Sequence, residues 1–321
     1  MSKRFIKQLC TTTPFWRLFA GALRPQGLTV LMYHRIVAPG DAFPGTPVGQ
    51  FRAQMQWLRR HCEPIAPEHF EESLLVSSWA KPPVLVTFDD GYRDYHDNAY
   101  PILRELDIPS VVFLATSFID DGGLIWTDAV TWAFRTTACT EFVVPWEPDV
   151  VLAIDDASTL ERSELRCKHF LKGVPDIERM RWERELYTAL GVEPRASAPG
   201  RQMLDWNEVR KTADLTRYGG HTHTHPILSQ LDSQRMEDEI RLCRERIERE
   251  TGVAPRYFAY PNGRAQDFND ETKTLLRKHG FELGFSTVEG IHRRGMDPLA
   301  IVRQPTGSRT LGDFAFIVAG R

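Results

Sequence analysis

Short apolar runs recur along the chain and are separated by longer charged segments. A strand of a parallel sheet is covered on both faces, so its sequence is a continuous apolar run rather than an alternating one. Six such runs predict strands, and a seventh, shorter strand is predicted directly before a histidine-rich segment. The predicted strands cover residues 28–33, 84–88, 110–115, 217–220, 257–260, 281–286 and 300–302.

Between these strands, apolar residues recur at helical spacing. Phe51, Met55 and Leu58 share one face of a helix, and the same spacing predicts helices over 236–247 and 270–278. Strands that alternate with helices in this way predict an α/β protein with a parallel sheet, either open or closed into a barrel.

A segment from about residue 120 to 203 breaks this alternation. It contains Trp126, Trp132 and Trp146, a charged helical stretch over 161–190 and a predicted loop over 194–200. We interpret it as an insertion between barrel strands, within a single domain that spans residues 27–321.

Composition and charge narrow the class of protein. The chain has 321 residues and a formal net charge of −3, with basic and acidic residues mixed along its length. This pattern does not favour a nucleic-acid partner. The five cysteines are far apart and form no CxxC pair, so neither a disulfide framework nor a cysteine zinc site is expected. We expect free thiols in a reducing compartment.

Residues 1–26 form a basic and aromatic N-terminal segment. Phe15 and Trp16 follow three basic residues, and Arg17 interrupts the apolar part. A signal peptide requires an unbroken apolar stretch, and this run is too short to cross a bilayer. We predict an amphipathic helix that either lies on a membrane surface or packs on the domain. The expected location is the cytoplasm, at the inner membrane face if the segment binds the membrane.

Two short segments carry the candidate chemistry. Asp89 and Asp90 follow one predicted strand, and His221 and His225 lie four residues apart after another. In a parallel α/β barrel, catalytic groups gather at the carboxyl ends of the strands. One carboxylate and two imidazoles suit a metal ion, and the second carboxylate is left as a base. The two segments therefore predict metal-assisted hydrolysis.

A metal ion also offsets the repulsion between the two adjacent carboxylates. Two carboxylates so close together raise the pKa of one of them unless a cation compensates. A divalent ion does so, and it lowers the pKa of its bound water from about 15.7 toward 7. Thr222 and Thr224 are placed to orient the ligands. His223 lies between them and is expected to have a structural or supporting role rather than to be a further ligand.

Three segments resemble motifs of the NodB-like polysaccharide deacetylases (carbohydrate esterase family four). Residues 84–114 are similar to the first motif and the strand after it, 220–231 to the histidine motif, and 258–263 to the third motif. The resemblance covers most of 28–302 outside the insertion. It implies an irregular (β/α) barrel of about seven strands with a helical insertion, and hydrolysis of N-acetyl groups from amino sugars.

The resemblance also implies the role of each residue in the first two motifs. Asp89 is the general base, while Asp90, His221 and His225 bind a divalent metal. That metal is most often zinc, with Co²⁺, Ni²⁺ and Mn²⁺ as alternatives.

The third motif implies a segment that contacts the substrate. Tyr260, Pro261 and Asn262 lie in this segment, and the backbone N–H of Asn262 helps to hold the oxyanion. A donor of this kind contributes about 2.7–4 kcal/mol in the transition state.

The third motif departs from the family pattern at its first position. An arginine that steadies the base commonly stands there, and Ala259 takes its place in this chain. We hypothesise that Arg303, at the end of the last predicted strand, supplies the positive charge instead. The alternative is that Arg303 is a surface or structural arginine.

The general acid is the second departure. Many members take a histidine from a late Leu-x-His segment, whereas His292 lies in a polar loop without that pattern. The run Leu31-Met32-Tyr33-His34 instead resembles the branch with a permuted motif order, which includes deacetylases of poly-N-acetylglucosamine. His34 is then the acid that protonates the leaving amine, and the alternative is a buried structural histidine.

The implied function is removal of N-acetyl groups from an amino sugar in a polysaccharide, glycolipid or sugar precursor. The expected partner is an N-acetylated sugar or glycan. An O-acetyl esterase or a deformylase needs the same constellation, so both remain alternatives. A catalytically degenerate glycan-binding protein is the alternative outside the enzymes, favoured by Ala259 and opposed by the retained carboxylates and histidines.

Overall fold

The structure, a computed structural model, describes residues 27–76, 79–307 and 310–318. The predicted N-terminal amphipathic segment, residues 1–26, lies outside these described residues.

The described residues form twelve strands, most of them short and apolar. They are β1 (Thr29–Tyr33), β2 (Ile36–Val37), β3 (Thr46–Pro47), β4 (Glu63–Pro64), β5 (Pro83–Phe88), β6 (Ser110–Leu114), β7 (Glu141–Val144), β8 (Glu147–Ala153), β9 (Thr216–Gly220), β10 (Tyr257–Ala259), β11 (Leu283–Glu289) and β12 (Ile301–Pro305).

Seven of these strands are parallel and close into a barrel. Their order around it is β1–β12–β11–β10–β9–β6–β5, and β5 returns to pair with β1. In the closing pair, Thr29 lies beside Val84 and Tyr33 beside Phe88. The carboxyl ends of the barrel strands therefore meet at one mouth, where a parallel barrel carries its functional groups.

The predicted fold class, an irregular (β/α) barrel of about seven strands, is confirmed. Each predicted strand corresponds to an observed one. Two strands run further than predicted: β11 ends at Glu289 and β12 at Pro305. Their last residues include polar side chains at the mouth, so the apolar pattern stops before the strand does.

Twelve α-helices lie within the described residues, and none of them is long and apolar enough to cross a membrane. They are α1 (Val48–His61), α2 (Phe70–Leu75), α3 (Tyr100–Leu106), α4 (Thr116–Asp121), α5 (Trp126–Thr136), α6 (Ala157–Gly173), α7 (Asp176–Ala189), α8 (Pro194–Ser197), α9 (Trp206–Lys211), α10 (Ser233–Thr251), α11 (Asp270–Lys278) and α12 (Leu311–Val318).

Side chains alternate between the barrel interior and the outer helices along each strand. On β5, Leu85 packs in the interior cluster, whereas Val86 packs against the outer layer. Thr87 and Asp89 continue the interior face, and both accept hydrogen bonds from Arg303 of β12. Burial of a large apolar side chain contributes about 1.5–3 kcal/mol to the stability of the folded state. The interior and exterior residues therefore fix the register that carries Asp89 to the mouth.

The segment predicted as an insertion contains α5, the hairpin β7–β8, and α6 to α8. The stretch 161–190, predicted as one helical segment, is two helices, because Pro175 precedes α7 and proline cannot continue a helix. The predicted loop 194–200 contains the one-turn helix α8, which starts at a proline. The hairpin was not predicted. Its strands pair in antiparallel fashion, and β7 buries alternate residues, Phe142 and Val144.

Candidate active site

Asp89 and Asp90 follow β5 at the mouth of the barrel. The backbone N–H of Asp89 still donates to the Tyr33 carbonyl across the closing pair, at 3.0 Å. The chain then turns sharply, because Asp90 and Gly91 both have left-handed backbone angles, with φ of 76° and 85°. A Cβ on Gly91 would lie 2.8 Å from the Leu114 side chain, so glycine is required there. This turn brings two adjacent carboxylates to the same mouth.

Asp90, His221 and His225 converge into one buried cluster. The Oδ1 atom of Asp90 lies 3.2 Å from Nε2 of His221 and 3.1 Å from Nε2 of His225. One donor atom from each residue lies within 4.8 Å of the other two. A carboxylate oxygen and two imidazole nitrogens at this spacing are the donor set of a three-residue catalytic zinc site.

The two histidines reach the cluster from a tightly turned loop. Nδ1 of His221 lies 2.7 Å from the Ala259 carbonyl. If this nitrogen carries the proton, Nε2 keeps its lone pair for a metal. Thr222 and His225 have φ of 63° and 61°, and the hydroxyl of Thr222 accepts the backbone N–H of His225 at 2.9 Å. Left-handed angles in such residues persist only where surrounding contacts hold them.

Glu239 of α10 supplies those contacts. One carboxylate oxygen accepts the backbone N–H groups of His223 and Thr224 at 2.8 and 2.7 Å, and the other accepts the Thr224 hydroxyl at 2.5 Å. The ring of His223 turns to the Thr116 hydroxyl at 2.9 Å. His223 is therefore outside the ligand cluster and occupies the supporting position expected from the sequence.

Charges and burial oppose each other within the cluster. Burial alone raises the pKa of the Asp90 carboxyl, but hydrogen bonds from His221 and His225 hold that pKa well below its usual value. Burial lowers the pKa of His221, and the neighbouring Asp90 and Asp89 raise it above its usual value overall. For His225, burial prevails and the pKa falls. Asp90 is thus an ionised carboxylate, which is the form that binds a metal.

Asp89 lies beside this cluster and is paired with Arg303. The two guanidinium nitrogens Nη1 and Nη2 each lie 2.7 Å from one oxygen of Asp89. Nε of Arg303 donates to the Ser286 carbonyl at 2.7 Å, and Nη1 also donates to the Thr87 hydroxyl at 3.2 Å. Burial raises the pKa of Asp89, but the adjacent Arg303 charge lowers it below its usual value. The positive charge that Ala259 lacks is therefore present beside the carboxylate, and it comes from β12.

The candidate acids lie at opposite ends of the barrel. Nε2 of His34 is 3.9 Å from the Asp89 carboxylate, and its side chain is 49% exposed at the mouth. The alternative interpretation of His34 as a buried structural histidine is therefore wrong. His292 is buried, and its backbone bridges to Leu28 just before β1. It lies at the amino end of the strands and cannot reach the mouth.

The three residues of the third motif separate in the structure. Pro261 and Asn262 line the cleft, whereas Tyr260 is fully buried. The Tyr260 ring stacks on Phe268 at 3.9 Å, and its hydroxyl donates to the Leu299 carbonyl. The prediction that Tyr260 contacts the substrate therefore needs correction: its side chain anchors the loop from beneath.

Asn262 has a left-handed φ of 62° and is held by its side chain. Its amide oxygen accepts from Nζ of Lys172 at 2.8 Å, and its amide nitrogen donates to Asp267 at 2.7 Å. Its carbonyl accepts the Thr287 hydroxyl at 2.7 Å. No acceptor among the described residues takes the backbone N–H of Asn262, so this donor remains available at the cleft.

The mouth is a cleft of about 440 Å³, and the insertion forms one wall of it. Trp126 of α5 and Lys168 and Lys172 of α6 line it. Sequence reasoning missed Lys172 and Glu239. The spacing of Lys168 and Lys172, four residues apart on a helix, placed them on one face, but no local signal tied that face to Asn262.

Comparisons with known sequences identify the family of this chain. The sequence profile described as polysaccharide deacetylase matches residues 78–284 of this chain. YxkH of Bacillus subtilis (strain 168), which carries a provisional name as a polysaccharide deacetylase, is 36% identical over 95 residues. The poly-beta-1,6-N-acetyl-D-glucosamine N-deacetylase of Staphylococcus epidermidis is 32% identical over 71 residues. These matches cover 28% and 22% of this chain but only 33% and 25% of the two relatives.

Solved structures share the fold over nearly the whole chain. The deacetylase PplD of Streptococcus pyogenes, solved in complex with acetate, has a TM-score of 0.61 and 18% identity, covering 92% of this chain and 99% of that one. IcaB from Ammonifex degensii has a TM-score of 0.56 and 19% identity, covering 91% and 96%. At these identities the likeness supports the barrel fold alone.

The resemblance found in the three sequence motifs is confirmed by the profile, which extends over more than half of the chain and includes Asp89, Asp90, His221, His225 and Asn262. The chain belongs to the polysaccharide deacetylase family.

Proposed function

We propose that this protein is a metal-dependent hydrolase that removes N-acetyl groups from an amino sugar of a polysaccharide, glycolipid or sugar precursor. The observation that carries the proposal is the convergence of Asp90, His221 and His225 beside the carboxylate of Asp89 at the barrel mouth. Membership of the polysaccharide deacetylase family supports an acetylated glycan as the substrate. The Staphylococcus epidermidis relative, named for N-deacetylation of a glucosamine polymer, supports an amide rather than an ester.

The ligand set fits a divalent ion, with zinc as the first candidate. It offers one anionic oxygen and two imidazole nitrogens, all within 4.8 Å of one another. His221 has a carbonyl partner at its other nitrogen, as zinc-binding histidines generally do. A divalent ion held by these residues supplies Lewis-acid polarisation of the acetamide carbonyl and of a water molecule.

Asp89 acts as the general base in this proposal. The Arg303 guanidinium lowers the pKa of Asp89, so the carboxylate is ionised at neutral pH and free to take a proton. The two-point contact also fixes both oxygens of Asp89, so it cannot rotate away from the attacking water.

His34 and Asn262 complete the reaction from opposite sides of the cleft. His34, half exposed at the mouth, donates a proton to the departing nitrogen. The backbone N–H of Asn262, held by Lys172 and Asp267, donates to the oxyanion. Water adds to the acetyl carbon and the C–N bond breaks, which yields acetate and a free amino sugar.

Acetate release from a panel of N-acetylated sugars, glycans and glycolipids tests this proposal. We expect release by the purified protein, its loss with a chelator, and its return when Zn²⁺ is added. Matched O-acetyl and N-formyl analogues belong in the same panel. Faster hydrolysis of either analogue identifies the esterase or deformylase alternative, and glycan binding without any release identifies a degenerate binding protein.

A further inference from the structure

Three cationic side chains line the cleft around Asn262. Lys168 and Lys172 lie one turn apart on α6, and Arg264 follows the third motif on the opposite loop. We call Lys168, Lys172 and Arg264 the cationic cluster. None of the three has a role in the hydrolysis proposed above except Lys172, which holds the Asn262 side chain.

Lys172 is the central member of the cationic cluster and has no carboxylate partner. Its ammonium is partly buried and donates to the neutral amide oxygen of Asn262. Among the described residues, no carboxylate lies within ion-pair distance of it. An ammonium group has three donors, so two N–H groups of Lys172 stay available toward the cleft.

The charges around Lys172 do not cancel. Burial lowers its pKa, and the positive charges of Arg264 and Lys168 lower it further. Glu164 pairs with Lys168 at 2.6 Å, and Asp267 accepts from the backbone of Arg264 at 2.7 Å. Counted as whole charges, Glu164 and Asp267 offset two of the three cations, although Asp267 contacts the backbone of Arg264 and not its guanidinium. Asp90 belongs to the metal cluster. One positive charge therefore remains without a partner in a partly desolvated cleft, where such a charge is costly.

We propose that the substrate carries a phosphate ester next to its acetylated amino sugar, and that the cationic cluster binds this phosphate. The inference rests on the proposed deacetylase function, because it names the substrate class of that same cleft. Lysine and arginine donors from two separate elements can reach different oxygens of one phosphate. A carboxylate has two oxygens in one plane and matches three donors less well.

Matched glycosides of N-acetylglucosamine test the inference with the full-length protein. The 1-phosphate, the carboxymethyl glycoside and the neutral methyl glycoside differ only in the group beside the sugar. We expect kcat/KM to be roughly 10-fold or more higher for the 1-phosphate than for the methyl glycoside, mainly through KM. This advantage falls as salt rises, because salt screens the attraction. Equal rates for the 1-phosphate and the methyl glycoside overturn the inference, and equal rates for the 1-phosphate and the carboxymethyl glycoside overturn the choice of phosphate.

Variants assign the preference to the cationic cluster. The measured quantity is the ratio of kcat/KM for the 1-phosphate to kcat/KM for the methyl glycoside. Arg264→Gln should reduce this ratio several-fold, and Lys172→Met should reduce it further. Lys172→Arg should restore most of it. Arg181→Gln is the matched control, because Arg181 is exposed on α7 and pairs with Glu185. An unchanged ratio in both Arg264→Gln and Lys172→Met contradicts the assignment.

Calorimetry separates this inference from the proposed function. Binding of N-acetylglucosamine 1-phosphate is measured to chelator-treated protein, so that the phosphate has no metal to bind. Binding that Arg264→Gln weakens, without deacetylation of any glycoside, supports the phosphate site and contradicts the deacetylase function. Deacetylation of all three glycosides at equal rates, with no measurable binding to the chelated protein, supports the deacetylase function and contradicts the phosphate site.

Discussion

Arg303 and Asp89 form a two-point ion pair, with Nη1 and Nη2 each 2.7 Å from one carboxylate oxygen. The two residues are 214 positions apart in the chain, and they come from β12 and the end of β5. Both side chains are buried, with Arg303 fully enclosed. Asp89 is therefore held by a guanidinium from another strand, and the pair bridges the two strands that flank β1.

Removal of Arg303 should destabilise the protein, because it leaves the Asp89 charge buried without a partner. For Arg303→Met we expect the free energy of unfolding to fall by about 3–5 kcal/mol in urea titrations. Arg303→Lys keeps the charge but loses the two-point geometry, so its free energy of unfolding should lie between those of wild type and Arg303→Met. Arg256→Met is the control: Arg256 pairs with exposed Glu282, so about 0–1 kcal/mol is expected. Wild-type stability of Arg303→Met contradicts this account.

His34 should affect turnover without affecting the metal. His34→Ala removes the proton donor, and we expect kcat to fall by about 10²–10⁴-fold. His34 is half exposed, so stability should change by no more than about 0.5 kcal/mol. Metal content, measured by atomic absorption, should stay at the wild-type level. A variant that keeps wild-type kcat removes His34 from the mechanism.

Glu239 should act on metal affinity through the histidine loop. Glu239→Gln replaces one acceptor oxygen with a donor, so the hydrogen bonds to His223, Thr224 or both are lost. We expect the Kd for Zn²⁺ to rise about 10- to 100-fold in chelator competition. Glu245→Gln is the control. Glu245 lies on the same helix and pairs with Arg241 at the surface, so this variant should bind Zn²⁺ like the wild type. Equal affinities in both variants exclude this role for Glu239.

His292 should make stability fall as the solution becomes acidic. Burial lowers the pKa of His292 from 6.5 to about 4 in the folded protein. The unfolded chain therefore binds a proton between these values while the folded protein does not. Its contribution to stability is complete above pH 6.5 and is lost as the pH falls toward about 4.

Urea midpoints from pH 8 to 4 measure this effect, with His292→Phe as the comparison because the ring of His292 packs near Phe70. The difference in urea midpoint between wild type and His292→Phe should change as the pH falls from 6.5 toward about 4. Leu75→Ala is the control, since Leu75 is exposed and carries no titratable group, and its difference from wild type in urea midpoint should stay nearly constant. Parallel curves for wild type and His292→Phe show that His292 does not titrate as stated.

The parts of the site that the sequence predicted are those set by local pattern. Asp89 and Asp90 directly follow an apolar strand, and the spacing of His221 and His225 lies within five residues. The seven barrel strands were predicted for the same reason. The proximity of Arg303 to Asp89 was also expected, because both residues lie at carboxyl ends of strands that must meet at one mouth.

The missed parts depend on contacts between distant segments. Lys172 reaches Asn262 across 90 positions, and Glu239 of α10 reaches His223 across 16 positions. A charged helix gives the same pattern whether its face contacts solvent or a cleft. Tyr260 was misassigned because a motif gives the order of residues but not the side to which each side chain turns.

The separation of roles between adjacent Asp89 and Asp90 is the central claim, and one paired measurement tests it. Zinc stoichiometry and acetate release are determined on the same preparations of wild type, Asp89→Asn and Asp90→Asn. We predict that Asp89→Asn keeps one bound zinc and loses turnover, whereas Asp90→Asn loses both zinc and turnover. Zinc loss in Asp89→Asn with retention in Asp90→Asn, or wild-type turnover in either variant, contradicts the account.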